Sequence, residues 1–480
     1  MFRSTTSSPP VARTLGLADP AEPAQTAQRA ELVRLGLILA AGLVLRLVLL
    51  WRFDGVGLGI HDERDYNQLA ISIVQRGEYG FAPGQLTSIR PPLFPAFVAA
   101  IYSVCGIENY QAIRLANVLL SLVTTVVVYL LARRMFCGRV AFVAAALVTF
   151  YPSLVGAGNL VLTETLFTLL VCSFLLASER YLATSSRWAI VAAGVLLGLA
   201  ALTRSAVWLF PPVAAALILW TGPERMIRGR LVSAALLCVA FALTLAPWTI
   251  RNTTLHKTFT TVDVMGGRNV MMGNYEHTPW DRPWAAIEIQ GEKAWHQVLS
   301  RAHGGLAGKT QGQIDKLAMR QALEYIAAHP GQTLARSTAK LFHFWQLERE
   351  LVAGGKQGIW GTFSTPLLLL MAAAIVGTYC LVMVSGLFGV WMMPPSNRAV
   401  HWLLVLLVLF VTALHSVAFG HSRYHLPLMP IVILYAAACL VHWRVVVGQW
   451  RSWPFAAAAA MSLVLAASWA WDLALEAGRL

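Results

Sequence analysis

The amino-acid sequence predicts an all-α integral membrane protein, and three observations predict it. Of 480 residues, 57% are hydrophobic and 12% charged, about half of the roughly 25% charge that a water-facing domain carries. Mean hydropathy is +0.61. Apolar runs of about 18 residues or more recur along the chain, long enough to cross a ~30 Å hydrocarbon core as helices. None alternates as a membrane β-strand would.

The formal charge of +14 fits Lys and Arg placed in cytoplasmic loops against anionic headgroups. No basic water-facing domain is present to carry it onto nucleic acid. Cys105, Cys137, Cys172, Cys238, Cys380 and Cys439 are scattered singly, with no CxxC or disulfide framework.

Residues 1–28 are rich in Ser, Thr, Pro, Ala and Gln, so residues 1–31 are expected to form a disordered cytoplasmic tail. The first span, 32–51, lacks a convincing cleavage site and is expected to remain as an anchor. Further spans are expected at 112–132, 138–152, 159–178, 188–203, 205–221, 231–249, 364–391, 400–419, 424–443 and 454–472, making about eleven, of which the third and fifth are short.

Arginine placement tests this count. With the N-terminus inside, the expected cytoplasmic loops contain Arg133, Arg134 and Arg139, then Arg180 and Arg187, then Arg225, Arg228 and Arg230, then Arg398, then Arg444 and Arg451. The opposite short loops contain only Arg204 and Arg423. Losing or adding a span breaks this alternation downstream. Two long segments then fall outside, 52–111 and about 250–360. The expected division is a 1–31 tail, a 32–249 N-terminal transmembrane module with outer loop 52–111, a 250–363 large outer loop with surface helices, and 364–480 C-terminal helices. Residues Thr333 to Glu350 carry apolar and aromatic side chains at helical spacing, as a surface helix does.

In the first outer segment, Tyr66, Leu69, Ala70 and Ile73 recur at helical spacing and Gly77 is placed to end the helix. Asp62 and Glu63 stand at its N-terminus. Asp62 with Asp65 resembles a capping arrangement; a carboxylate there also suits a general base or a cation ligand. After Ser88 to Pro95, residues 96–105 form an apolar stretch too short to span, with Pro91, Pro92 and Pro95 suited to a helix start. This is expected to be a second interfacial helix. Arg90 just before it is either a snorkelling cation or, beside the acidic pair, a phosphate ligand.

These pieces, with Arg114-Leu115-Ala116-Asn117, Leu162-Thr163-Glu164-Thr165-Leu166-Phe167, the run Gly198 to Arg204, Ala246-Pro247-Trp248-Thr249-Ile250-Arg251-Asn252 and Ser422-Arg423-Tyr424-His425-Leu426-Pro427, occur in an order that carries a resemblance. Over about residues 32–445 the chain resembles the bacterial protein O-mannosyltransferase and aminoarabinose-transferase superfamily. These are membrane glycosyltransferases of the GT-C type that use polyprenyl-phosphate sugars.

The resemblance implies a GT-C bundle in a bacterial inner membrane with its active face periplasmic. It implies Asp62 as the catalytic carboxylate, with Glu63 the lesser actor and a cap or ligand, and Glu164 a second acidic residue where relatives often have Asp. Arg90 and Arg204 match positions that hold the donor's lipid phosphate, and Arg423 with Tyr424 look like a further phosphate contact. The implied substrates are a polyprenyl-phosphate-linked sugar and a glycan, lipid or protein acceptor. No cofactor is certain, although a divalent cation is possible.

Several features keep other readings open. His415, His421 and His425 cluster without a sequence-adjacent Cys, Asp or Glu to complete a metal set. Arg46 within the first span is expected to snorkel or pair inside the bundle, and Arg251 and Asn252 to anchor the large loop. Gly266-Gly267-Arg268-Asn269 and Met272-Gly273-Asn274 read as loop turns or as parts of a closing loop. A multispan transporter or lipid-carrier flippase is the competing function. It predicts broken helices at the midplane and paired halves, and no convincing internal repeat is present.

Overall fold

The computed structural model describes residues 24–280 and 282–477. Part of the expected tail therefore lies outside the described residues. From Ala24 onward the chain is already helical: α1 runs Ala24–Arg52.

The first long connection forms α2 (His61–Arg76), a short hairpin of β1 (Gly80–Ala82) and β2 (Gln85–Leu86), and α3 (Leu93–Cys105). Next come α4 (Tyr110–Met135), α5 (Gly138–Phe150), α6 (Pro152–Ala157), α7 (Glu164–Thr184), α8 (Arg187–Thr203), α9 (Pro211–Thr221) and α10 (Ile227–His256). The second long connection holds α11 (Gly266–Gly273), α12 (Trp295–Ala302), α13 (Gln311–Ala328), α14 (Pro330–Phe344) and α15 (Glu350–Lys356). The C-terminal part comprises α16 (Thr365–Met392), α17 (Arg398–Val417), a 3₁₀ turn at Ser422–Leu428 leading into α18 (Met429–Val441), α19 (Trp443–Gly448) and α20 (Trp453–Ala477).

A helix stands at every expected span. Among the described residues, eight helices are long and apolar enough to cross a membrane, and the protein is a multi-pass membrane protein. Three expected spans are shorter. Helix α5 has 13 residues, about 20 Å at ~1.5 Å per residue, and it stops at Tyr151-Pro152 because proline cannot continue the ladder. Helix α8 has 17 residues, and the next begins as a 3₁₀ turn at Ser205–Val207 before Pro211 restarts it as α9.

Helix α2 forms for the reasons its sequence gives. Tyr66, Leu69 and Ala70 are buried on one face, and Gly77 closes the helix at φ 66° with its N–H on the Ile73 carbonyl. Its start differs from the expected cap. The N-cap is Ile60, and the Glu63 carboxylate reaches back to accept the Gly59 and Ile60 amides at 2.9 and 3.0 Å. The hairpin was not anticipated. Pro83-Gly84 turns it, with Gly84 at φ 69°.

Ion pairs fix which helix ends lie together. Glu31 at the start of α1 meets Arg133 at the end of α4 (2.8 Å), and Arg134 meets Glu179 at the end of α7 (2.9 Å). Glu224, before α10, accepts from the Tyr181 hydroxyl near the end of α7. One end of the bundle thus gathers these arginines. At the other end, Arg114 at the start of α4 binds the Phe53 carbonyl just after α1 (3.0 Å) and the Asn159 carbonyl just before α7 (3.1 Å). Arg46 is 1% exposed and donates through Nη1 to the Gly42 and Thr149 carbonyls at 3.2 and 2.8 Å, so it is held inside the bundle rather than by snorkelling, with its Nε left without a hydrogen bond.

The second long connection docks on the bundle through α14. The buried Lys340 ammonium donates to the Val417 carbonyl at 2.9 Å. The approach requires glycine, because a Cβ on Gly420 would sit 2.5 Å from the Lys340 carbonyl oxygen. Burial, with Arg336 adding repulsion, pulls the Lys340 pKa from 10.5 to about 7. Between those values the unfolded chain binds more protons than the folded one, so this contribution to stability rises with pH across that window and is lost as pH falls toward 7. Melting temperatures of wild type and Lys340→Met at pH 6.5 and 9 are expected to show that rise in wild type alone.

Candidate active site

The site grows from a scaffold of buried side chains that hold loop carbonyls and amides. Arg114, 1% exposed, donates to the carbonyls of Phe53, Val56 and Asn159, and Asn117 donates to that of Leu160 at 2.9 Å. These residues of the Arg-Leu-Ala-Asn motif knit the segment before α2 to the one before α7. Glu63 completes the seam. Besides the Gly59 and Ile60 amides, it accepts the Val161 amide at 2.9 Å and is 1% exposed.

Both Glu63 oxygens are therefore occupied by backbone, and the residue sits apart from the ionic cluster built on Asp62. Glutamine at Glu63 leaves at least one amide facing an N–H₂ group. With charged hydrogen bonds worth ~2 kcal/mol each, Glu63→Gln is expected to lower the melting temperature, and any loss of activity is expected to track the folded fraction.

On the other side, Arg251 donates to the Thr87 carbonyl and the Ser88 hydroxyl, both at 2.8 Å. Asn252 accepts from Ser88 at 2.7 Å and donates to the Val262 carbonyl at 3.0 Å. The pair thus ties the hairpin's exit to the end of α10 and starts the large loop. The Tyr79 hydroxyl donates to the carbonyl of Arg90 at 2.9 Å, which sets where the Arg90 side chain begins.

Between these supports lies a network of arginines and carboxylates from five places in the chain. Asp62 uses one oxygen on Arg90 (2.6 Å) and the other on Arg423 (3.0 Å). Arg90 also binds Asp65 through two nitrogens, at 2.8 and 3.0 Å. Glu164, only 2% exposed, receives Arg423 at 2.6 Å and Arg204 at 3.0 Å on the same oxygen. Tyr424 lies under the Arg204 guanidinium at 5.3 Å and stacks on His415; Tyr66 lies under Arg90 at 5.4 Å. Burial alone would raise the Asp62 pKa, but Arg423 and Arg90 outweigh it and hold the carboxyl below its usual range.

Asp62, Glu164, Arg90, Arg204, Arg423 and Tyr424 are thus brought together, and Glu63 is not. Asp65 belongs to the network although its sequence position suggested only a cap; three residues past Asp62, it shares that helical face. Two further carboxylates flank this side. Burial pushes Asp263 up to about 6, and Asp315 accepts the Arg268 amide at 3.0 Å, so the Gly266–Asn269 turn is the capped start of α11.

The three histidines are separately engaged: His415 with the Phe419 carbonyl (3.2 Å), His425 with Glu348 (3.0 Å) and His421 at 3.8 Å from Glu350. Among the described residues no group of three or more His, Cys, Asp or Glu is placed to hold a metal ion. Beside the network opens a cavity of about 310 Å³, whose wall includes Glu164, Arg423, Glu348, Glu350, Leu351 and Trp360. Neither Glu348 nor Glu350 was singled out in the sequence; both follow the surface helix in an unremarked Leu-Glu-Arg-Glu run.

Residues 89–250 match the family described as dolichyl-phosphate-mannose-protein mannosyltransferase. The matched segment contains Arg90, Glu164 and Arg204. In three dimensions the chain is similar to the archaeal oligosaccharyltransferase AglB from Archaeoglobus fulgidus, in complex with an inhibitory peptide and a dolichol-phosphate. The identity is 14%, the TM-score 0.53, and the alignment covers 93% of this chain and 55% of that one. The chain therefore spans about half the length of that relative. A weaker likeness is to ArnT from Cupriavidus metallidurans bound to undecaprenyl phosphate, at 18% identity and TM-score 0.38, over 84% of this chain and 77% of that one. No curated protein matches the chain. The resemblance carried by the motifs is borne out by the family match, and the GT-C-type helical fold by the likeness to AglB.

Proposed function

We propose that this chain is a membrane glycosyltransferase that moves a sugar from a polyprenyl-phosphate carrier onto a glycan, lipid or protein acceptor. The observation that carries the reading is Asp62, suspended between Arg90 and Arg423 with Arg204 in the same network. One carboxylate beside several guanidinium groups is what such a transfer needs. The bond between the sugar's anomeric carbon and the phosphate oxygen breaks, and its electron pair leaves on the phosphate. The acceptor hydroxyl oxygen bonds to the anomeric carbon, and its proton passes to Asp62. Arg90, Arg204 and Arg423, with Tyr424 supporting Arg204, neutralise the departing charge. Glu164 fixes Arg204 and Arg423 in place.

The donor set does not fit a divalent cation as it stands. Both Asp62 oxygens and Glu164 Oε1 face guanidinium nitrogens, so no step is assigned to a metal. The arginines gathered at the opposite end of the bundle favour a cytoplasmic placement there, which supports an outward-facing Asp62; a bacterial inner membrane with a periplasmic active face is the setting we propose from the family resemblance.

The experiment is incubation of the purified protein with a panel of polyprenyl-phosphate sugars and candidate acceptors, with products read by mass spectrometry. Glycosylated acceptor and free polyprenyl phosphate are expected. No donor consumption, together with substrate flux in vesicles containing the protein, would replace the reading with transport.

A further inference from the structure

The charges on the wall of the cavity beside the network are answered inside the protein, with one exception at its mouth. Glu164 receives Arg423 and Arg204, and Arg423 is shared with Asp62. Glu348 receives His425 at 3.0 Å and the Tyr151 hydroxyl, and the other ring nitrogen of His425 faces the Phe344 carbonyl. His421 accepts the Arg423 amide on Nδ1 at 3.2 Å, as a neutral imidazole does, and burial holds its pKa below the ordinary value. Glu350 is the exception. It is half open to solvent, which screens its charge, and it holds the Ser422 hydroxyl at 2.8 Å.

The rest of the wall is neutral and of two kinds. Leu160, Leu162, Leu351, Ile359 and Trp360 form an apolar side. Ser153 and Gln357 add neutral polar groups. Ser153, in the first turn of α6, is 6% exposed, and among the described residues its hydroxyl has no hydrogen-bond partner. A buried hydroxyl in that state is costly until a ligand reaches it. The amide of Gln357, at an exposed place on the wall, has no protein partner either. A volume of about 310 Å³ stands at the lower end of the range for small-molecule sites, room for one ring rather than a chain of them. Ile60, two residues before Asp62, lines the same space, so the cavity borders the proposed base.

We infer that this cavity is the acceptor subsite and that it takes an uncharged sugar residue, its hydroxyls on Ser153 and Gln357 and its C–H face against Trp360 and the leucines. The inference rests on the transferase reading. A cation finds only the solvated Glu350. An anion meets three carboxylates and a single arginine that is already shared between Asp62 and Glu164. A hydrocarbon chain leaves the Ser153 hydroxyl unmet. A pyranose ring offers both an apolar face and hydroxyls that donate and accept, and one further hydroxyl is left to reach past Arg423 to Asp62.

The test is ligand-observed NMR binding to the full chain in nanodiscs at pH 7. The probes are the methyl glycosides of glucose, mannose and galactose, their 6-amino-6-deoxy and 6-phosphate analogues, and cyclohexylmethanol as an apolar control. At least one neutral glycoside is expected to bind about tenfold more tightly than its charged analogues, because an unpaired charge is costly to bury. It is also expected to bind more tightly than cyclohexylmethanol. Ser153→Ala and Gln357→Ala are each expected to weaken it about fivefold, the size of one neutral hydrogen bond. Ser153→Ala is expected to keep the wild-type melting temperature, since the hydroxyl it removes has no protein partner. Binding of no neutral glycoside, equal or tighter binding of a charged analogue or of cyclohexylmethanol, or undiminished binding in both variants overturns the inference. Failure of the two proposals is distinguishable. Sugar transfer that proceeds equally well to neutral and charged acceptors sinks the acceptor assignment alone. Selective binding of a neutral glycoside without transfer from any donor sinks the transferase reading alone.

Discussion

Replacing Asp62 with Asn is expected to lower sugar transfer by about 10²–10⁴-fold, the span a positioned general base contributes. The amide keeps an acceptor oxygen for one arginine but cannot take the acceptor's proton, and its N–H₂ group faces the other guanidinium. The protein should still purify folded, because Arg423 retains Glu164 and Arg90 retains Asp65. The pH profile adds a second check. With the Asp62 carboxyl held below its usual 3.8, acidification from pH 7 to ~5 is expected to leave it ionised and active as a base. A wild-type rate that halves near pH 6.5 through titration of Asp62 would contradict this.

The second large effect is expected at Arg423. Among the described residues it is the one whose ion pairs join the Asp62 half of the network to the Glu164 half. Removing it strands negative charge in a site where Glu164 is 2% exposed. Breaking a buried pair by deleting one partner costs about 3–5 kcal/mol. Arg423→Met is therefore expected to lower thermal stability markedly and to abolish transfer. Arg423→Lys should recover part of the stability and little of the activity, since one ammonium cannot span two carboxylates as a planar fork does. Thermal melting of the purified variants beside the transfer assay measures both. A variant as stable and active as wild type would remove Arg423 from its keystone position.

Much of this architecture was legible before any coordinates. Apolar runs and the alternation of arginines gave the spans and their order, because both follow from the bilayer's demand on every crossing segment. Arg90, Glu164, Arg204 and Arg423 were legible as charged residues in the wrong places for solvation: beside short apolar helices or at span ends. Glu63 was legible as the lesser actor and a possible cap, which is what it does at the helix start; which of the two acidic residues faces the arginines was not, and the reason is geometric. Adjacent helical residues point about 100° apart, so Asp62 and Glu63 face different surroundings, and a sequence pair does not tell which one faces the arginines.

Asp65 was hidden for the converse reason. Its partner Arg90 lies 25 residues away, and only the fold of the hairpin and α3 carries that arginine back over α2. The cavity wall depends on longer-range packing still. Glu348 is held there by His425, 77 residues on, and nothing local in the Leu-Glu-Arg-Glu run marks it. The short α5 was expected, with Pro152 marking its end; the 3₁₀ start at Ser205 is a departure that Pro211 signals locally, but hydropathy averages it away.

The central claim is that the arginines gathered around Asp62 hold a lipid-linked phosphate. Binding of polyprenyl phosphate to the purified protein, followed by native mass spectrometry, tests it most directly. One equivalent is expected to bind to wild type and to Asp62→Asn, and binding is expected to be lost in the Arg90→Gln/Arg204→Gln double variant, measured below that variant's own melting temperature. Undiminished binding in that double variant would contradict the account.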